Sequence, residues 1–183
     1  MQQSQIQAIS QELYRALRKG IAVPPLTERF PDITIDEAYA ISLAMLAMRK
    51  ADGESLIGKK IGVTSEAVQS MLNVRQPDFG FLTDTMIVEG RVSLAGMIAP
   101  RAEGEIAFLL ASDLQGPGVT EADVLAATEG VMPCFEIVDS RIADWKIRIQ
   151  DTVADNASCG LFAINRADIK APDQVDLVGC AMQ

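Results

Sequence analysis

The chain contains no histidine. An imidazole is the side chain whose ordinary pKa lies closest to neutrality, and it is the usual nitrogen ligand of zinc and iron. Triads with an imidazole base, Cys-His pairs and His-ligated metal sites are therefore excluded. Any metal must be held by oxygen, which favours hard ions such as Mg²⁺, Mn²⁺ or Ca²⁺, and acid-base chemistry falls to carboxylates, lysine, tyrosine or metal-bound water. Cysteine is scarce: Cys134, Cys159 and Cys180 are widely spaced and odd in number, which predicts buried reduced thiols with a structural role, not a disulfide framework or a zinc site. Basic residues are few, 16 against 25 acidic, giving a net charge of -9, and no Lys/Arg cluster stands out. Nucleic acid and anionic lipid are poor partners for such a chain; small molecules and proteins suit it better. No apolar run is long enough to span a bilayer and the N-terminus lacks the order of a secretory signal, so the chain is expected in the cytoplasm. Repeats and low-complexity segments are absent too.

What is present is a 183-residue chain, 49% hydrophobic, long enough for one domain with a proper core. Residues 4–18 set Ile6, Ile9, Leu13 and Leu17 at helical spacing, with Gly20 as a stop. Val23-Pro24-Pro25 and Phe30-Pro31 predict an extended connection. Thr34 and Glu37 match a capping box that opens a second helix to about Lys50. Its apolar residues wrap more than one face, which predicts burial against two partners, another subunit being one option. From residue 56 the texture changes to short segments punctuated by glycine. Strands are expected at 56–63, 81–82, 86–88, 92–98, 101–110, 131–138, 161–164 and 175–182. Short helices are expected at 64–72 and 120–129, a turn at 76–80, and a loop of small and polar residues at 151–160. The chain divides into a helical region, 1–55, and a β-rich region, 56–183, forming one structural unit.

The sequence around residue 101, R-A-E-G-E-I-A-F-L-L, carries the most chemical information. With a two-residue period, Glu103, Glu105, Ala107 and Leu109 share one face of a strand. Two carboxylates on a face that turns apolar repel each other and lose hydration, which a bound cation would offset; an edge strand with both glutamates in water is the competing reading. Glu136 sits in another apolar strand and also calls for a partner. Together Glu103, Glu105 and Glu136 could form a facial oxygen site on neighbouring strands. Lys60 points to the opposite face from Lys59, either inward as a proton carrier or out to water. Asp78 reads as a site residue or as a turn residue bonding its own backbone, Ser158 and Asn156 as site or loop residues, and Arg141 with Asp155 as a structural ion pair.

Five strings in the same order resemble one family: G-K-K-I-G-V-T-S at 58–65, Q-P-D-F-G at 76–80, P-R-A-E-G-E-I-A-F at 100–108, P-C-F-E-I-V-D-S-R-I at 133–142 and D-T-V-A-D-N-A-S-C-G at 151–160. They resemble the 2-oxopent-4-enoate (2-hydroxypentadienoate, vinylpyruvate) hydratases of the fumarylacetoacetate hydrolase superfamily, which act in meta-cleavage catabolism of aromatic compounds. The resemblance implies an α+β fold, with N-terminal helices packed on a mixed, mostly β barrel-like sandwich. It implies Glu103, Glu105 and Glu136 as ligands of Mg²⁺ or Mn²⁺, and Lys60, Asp78 and Ser158 as catalytic or substrate-binding residues. A divalent ion should lower the pKa of Lys60, and burial should raise that of Asp78. The implied assembly is a homo-oligomer, with a possible complex with 4-oxalocrotonate decarboxylase. That decarboxylase activity is the nearest alternative within enzymes. Acylpyruvate hydrolysis is a third, disfavoured by the missing histidine. Relatives continue past residue 183 and the chain stops inside an apolar run, so the sandwich is expected to be incomplete at its C-terminus. An inactive remnant, or an assembly partner of a complete homologue, is accordingly the alternative of a different class.

Overall fold

In the computed structural model the described residues are 1–179. Helix α1 spans Gln3–Lys19, buries Ile6, Ile9, Leu13 and Ala16, and ends at Gly20, whose left-handed φ of 62° suits a residue without Cβ. A short helix α2, Leu26–Arg29, fits between the two proline steps where only an extended connection was expected. Pro25 sits as its N-cap, where a missing N–H costs nothing. Helix α3, Ile35–Ala51, has the expected cap: Thr34 Oγ1 accepts from the Glu37 amide at 3.2 Å and Glu37 Oε2 accepts from the Thr34 amide at 2.9 Å. Its two partners are both within the chain, α1 on one side and α6, Ile149–Ala154, on the other. Leu13, Leu26, Ile41, Met45, Ile142 and Val153 fill the core between these helices. Each such side chain contributes about 1.5–3 kcal/mol by leaving water.

The β-region is built from two sheets. Strands β1, Leu56–Gly62, and β2, Asp78–Thr83, pair antiparallel across helix α4, Glu66–Leu72. The second sheet is mixed, in the order β3-β6-β5-β4: β3, Ile87–Glu89, runs parallel to β6, Cys159–Ile164, while β5, Thr128–Val138, is antiparallel to both β6 and β4, Arg101–Leu110. Helix α5, Glu121–Ala127, is capped by Thr120 and leads into β5. A second apolar cluster of Met86, Met132, Cys134, Cys159, Phe162 and Ile164 backs this sheet. The α+β class and mixed sheets match the expectation.

Three expected elements are corrected. Residues 92–98 form a turn, with the Met97 amide donating to the Leu94 carbonyl at 3.2 Å and Gly96 at φ 85°, so alternation there marks no strand. Residues 175–179 are bend and turn, and 180–182, with Cys180, lie outside the described residues. The 151–160 segment is not a loop throughout: its first residues belong to α6, and most of it is buried. Its polar groups are buried because each finds a partner. Asp151 accepts from the Thr27 amide and hydroxyl at 3.0 and 2.7 Å, and from the Arg148 amide at 2.9 Å.

The helical layer is tied to the hairpin by Glu54. Its Oε2 accepts from Arg49 Nε at 2.7 Å and from the hydroxyls of Thr83 and Thr85 at 2.7 and 2.8 Å, and its Oε1 accepts from Arg18 at 2.5 Å. Burial alone would raise the carboxyl, but these four donors hold its pKa down to about 2. A depressed carboxylate pKa stabilises the fold above its unfolded value and loses that contribution as pH falls toward 2, on the order of 3 kcal/mol in all. The Glu54→Gln variant should lose roughly 2–3 kcal/mol at pH 7, and its stability should vary less with pH between about 5 and 2. Urea denaturation followed by circular dichroism across that window checks this; an unchanged pH dependence would show that Glu54 does not anchor the helices.

Candidate active site

In the β4–β5 register Glu103 lies directly opposite Glu136 and Glu105 opposite Cys134. Alternation then puts all three carboxylates on one face of the sheet. One carboxylate oxygen of each of Glu103, Glu105 and Glu136 lies within 4.8 Å of the others. Glu103 is exposed, Glu105 half-buried and Glu136 buried at 5% exposure. At that separation each ionised pair repels by roughly 3 kcal/mol at an effective dielectric near 20. The edge-strand alternative, with both glutamates in open water, does not describe Glu105.

The facing hairpin supplies the opposite charge. Lys60 points inward and Lys59 outward. The Lys60 Nζ stands 3.2 Å from Glu136 Oε2 and donates to the Ala157 carbonyl at 3.3 Å. Asp78 is the first residue of β2, not a turn residue, and pairs across the hairpin with Gly62. It is 2% exposed, yet its Oδ1 has no hydrogen-bond partner; Glu136 Oε1 is equally alone. A Cβ on Gly62 would sit 2.4 Å from Asp78 Oδ1 and 2.9 Å from Lys60 Nζ, so both groups reach the space beside that bare backbone.

Asp78, Glu105 and Glu136, grouped around one ammonium, bind protons more tightly than they would alone. Burial raises Asp78, with Lys60 only partly opposing it; burial and the neighbouring Glu136 and Glu103 raise Glu105; burial also raises Glu136 against the pull of Lys60. For Lys60, burial pulls down but the fields of Glu136, Cys159 and Asp78 win, so the ammonium is held above its ordinary value. The lowering expected beside a divalent cation therefore requires that cation's own charge, which the protein's groups do not replace. The residues fit a hard divalent ion: three oxygen donors on one face, an orphaned buried Glu136 oxygen, and an uncompensated negative charge. Among the described residues no other cluster of acidic or thiol groups is so placed.

Ser158 lies in the turn under this cluster, buried, with Oγ 3.2 Å from Thr152 Oγ1. Asn156, Ala157 and Ser158 all take left-handed φ, 56°, 51° and 51°. Outside glycine this costs about 1–2 kcal/mol per residue, less for asparagine, so the turn must be held from outside. Arg141 and Asp155 are the expected structural pair, joined at 2.5 Å, with Arg141 also donating to the Cys159 carbonyl at 2.9 Å. Burial lifts Asp155 to about 6 despite Arg141. The two described thiols are buried and free, as expected, but both lie beside the carboxylates. Burial, Glu136 and Glu105 push Cys134 up to about 11, and Cys159 faces Glu136. That placement, and the close approach at Gly62, were not read from the sequence, because they depend on which strands become neighbours.

The chain is 63% identical over 182 residues to 2-hydroxyhexa-2,4-dienoate hydratase of Comamonas testosteroni, covering 97% of this chain and 69% of that protein. It is 60% identical over 185 residues to 2-hydroxypent-2,4-dienoate hydratase of Pseudomonas putida, covering 100% and 83%. The chain belongs to the 2-hydroxydienoate hydratase family. To another hydratase of this family, 2-keto-4-pentenoate hydratase 1 of Dechloromonas aromatica, it is 43% identical, covering 93% and 65%. No family model matches the chain. Among solved structures, 4-oxalocrotonate decarboxylase from Pseudomonas putida G7, complexed with magnesium and adipate, superposes with a TM-score of 0.91 at 31% identity, covering 97% of this chain and 68% of that one. The same enzyme complexed with calcium and acetate gives 0.89. Hydratase relatives are thus closer in sequence than this decarboxylase, whose fold is shared.

Calorimetry with Mn²⁺ on a Glu103→Gln, Glu105→Gln double variant should show no binding, against measurable affinity for the unaltered chain. Unchanged affinity would mean that the three carboxylates are not the site.

Proposed function

We propose that the chain is a metal-dependent hydro-lyase that adds water to 2-hydroxypenta-2,4-dienoate, giving 4-hydroxy-2-oxopentanoate in meta-cleavage catabolism of aromatic compounds. The observation that carries the reading is the convergence of Lys60 and Asp78 on the Glu103, Glu105, Glu136 face, in a chain 60% and 63% identical to dienoate hydratases. Glu103, Glu105 and Glu136 would hold Mg²⁺ or Mn²⁺, which when bound supplies Lewis acidity toward the carboxylate and 2-oxygen of the substrate.

The chain's own groups then manage protons. As a proton is added at C5 of the dienol the 2-hydroxyl proton leaves and recharges the donor, giving 2-oxopent-3-enoate; water adding at C4 then yields a proton that passes through Asp78 to C3 and completes the product. Lys60, kept charged by the surrounding carboxylates, is the donor at C5. Asp78, with an unpartnered oxygen and a pKa raised by burial, takes the proton from the adding water. Ser158 serves as a substrate-binding hydroxyl: when Thr152 is the donor of their shared hydrogen bond, the Ser158 proton is free for a substrate oxygen. The fold around this site is that of a barrel-like sandwich. A homo-oligomer is supported by the outer face of β4 and β5, where Ile106, Phe108 and Phe135 are exposed beside an edge strand, and a complex with 4-oxalocrotonate decarboxylase would use the same kind of surface. Reduced, buried Cys134 and Cys159 suit the cytoplasm. Among the described residues no helix is long and apolar enough to cross a membrane.

With Mg²⁺ present, the purified chain should consume 2-hydroxypenta-2,4-dienoate, seen as loss of its ultraviolet absorbance, and leave 4-oxalocrotonate unchanged. The opposite preference would make it a decarboxylase, and inertness toward both would make it an assembly partner or remnant. Turnover by Lys60→Ala should fall by about 10²-fold or more while Mn²⁺ affinity persists; wild-type turnover in that variant would remove Lys60 from the mechanism. The chain's mass in solution should be a multiple of 19.7 kDa, and a monomer would dispose of the proposed assembly.

A further inference from the structure

A lysine on a four-carbon stem normally extends its ammonium to water. Lys60 does not, and the reason lies on the strand opposite. Gly80 is its cross-strand partner. A Cβ on Gly80 would sit 3.0 and 3.1 Å from Lys60 Cγ and Cδ and 2.8 Å from the Asn156 carbonyl oxygen. The stem therefore runs over bare backbone, with the 156–158 turn close against that same backbone. Two of the three left-handed residues in that turn, Ala157 and Ser158, are residue types that rarely adopt the conformation. The Asn156 side chain supplies a hold from outside: its Oδ1 accepts from the Phe81 amide at 2.7 Å and its Nδ2 donates to the Phe81 carbonyl at 3.0 Å, pairing with β2 as another strand would. The result is a carbonyl, that of Ala157, aimed at Lys60 Nζ.

We propose that Asn156 is a positioning residue that acts through Lys60: by clamping the left-handed turn to Phe81 it aims the Ala157 carbonyl and holds the ammonium beside Glu136, with the lysine stem in the space that Gly80 leaves open. The proposal rests on the reading of Lys60 as a proton carrier. Only a primary amide of this length both accepts and donates here; aspartate lacks the donor and alanine lacks both. Asn156→Asp keeps size and acceptor, and Gly80→Ala disturbs the same contact from the other side.

The test uses the full chain with ¹³Cε-labelled lysine, the Lys60 resonance being assigned by its loss in Lys60→Ala. In Asn156→Asp and in Gly80→Ala that resonance should move to the position of exposed lysines. Asn156→Asp should lower kcat about tenfold or more while KM and Mn²⁺ affinity stay within about twofold. Added to Lys60→Ala, it should cause no further loss, whereas a merely structural role would make the losses multiply. A Lys60 resonance unmoved in the folded Asn156→Asp chain, or multiplying losses, would overturn the proposal. Should Lys60→Ala retain full turnover, the proton-carrier reading falls by itself and the resonance still decides whether Asn156 positions the ammonium.

Discussion

The charge imbalance around Glu136 is the constraint on which the rest of the structure turns. Three carboxylates meet on one face of the mixed sheet, a fourth stands at the end of the hairpin, and Lys60 is the cation that reaches Glu136. A buried ion pair of this kind contributes little net stability, because desolvation of both partners opposes their attraction. Its consequence is positional: the hairpin and the sheet come from distant parts of the chain, and the pair fixes where they face each other. The helical layer is what makes that arrangement rigid, since α3 and α6 pack together and the Glu54 cluster joins α1 and α3 to the end of β2.

Buried carboxylates elsewhere show by contrast what distinguishes this cluster. Asp151 accepts three hydrogen bonds, Asp155 is bracketed by Arg141, and Asp139 accepts from the amides of Ile98 and Ala99. Each is satisfied, and each fastens one segment of the scaffold to another. Among the described residues the buried carboxylate oxygens without a partner belong to Asp78 and Glu136. Unsatisfied buried oxygen is costly and survives where something outside the chain completes it. The same contrast separates scaffold from site without any knowledge of the reaction.

Local sequence carried much of this. Ile6, Ile9 and Leu13 specified the buried stripe of α1, Thr34 with Glu37 the start of α3, Thr120 the cap of α5, and Thr64 or Ser65 the start of α4, where the structure uses Ser65, because each depends on residues within one or two turns. Alternation put Glu103 and Glu105 on one face and Lys59 and Lys60 on opposite ones. The same signal failed at 92–98, where apolar residues alternate but Gly96 turns the chain and the segment joins no sheet. At 151–160 small and polar residues suggested a loop, but the first of them form α6 and hydrogen bonds to distant segments bury most of the rest.

The absence of histidine, the acidic balance and the two-residue period were enough to confine a metal site to oxygen donors and to nominate Glu103, Glu105 and Glu136. These are properties of composition and of two strands each read by itself, and the pairing between them is not needed to read them. That Glu136 stands opposite Glu103, that Lys60 crosses to it, that Asp78 is buried at a strand end and that Asn156 grips Phe81 were decided only by tertiary structure. Register between strands, and the approach of a hairpin to a turn 97 residues away at Ala157, arise from packing of the whole chain. A periodic pattern tells which way a side chain points, and the fold supplies what it points at.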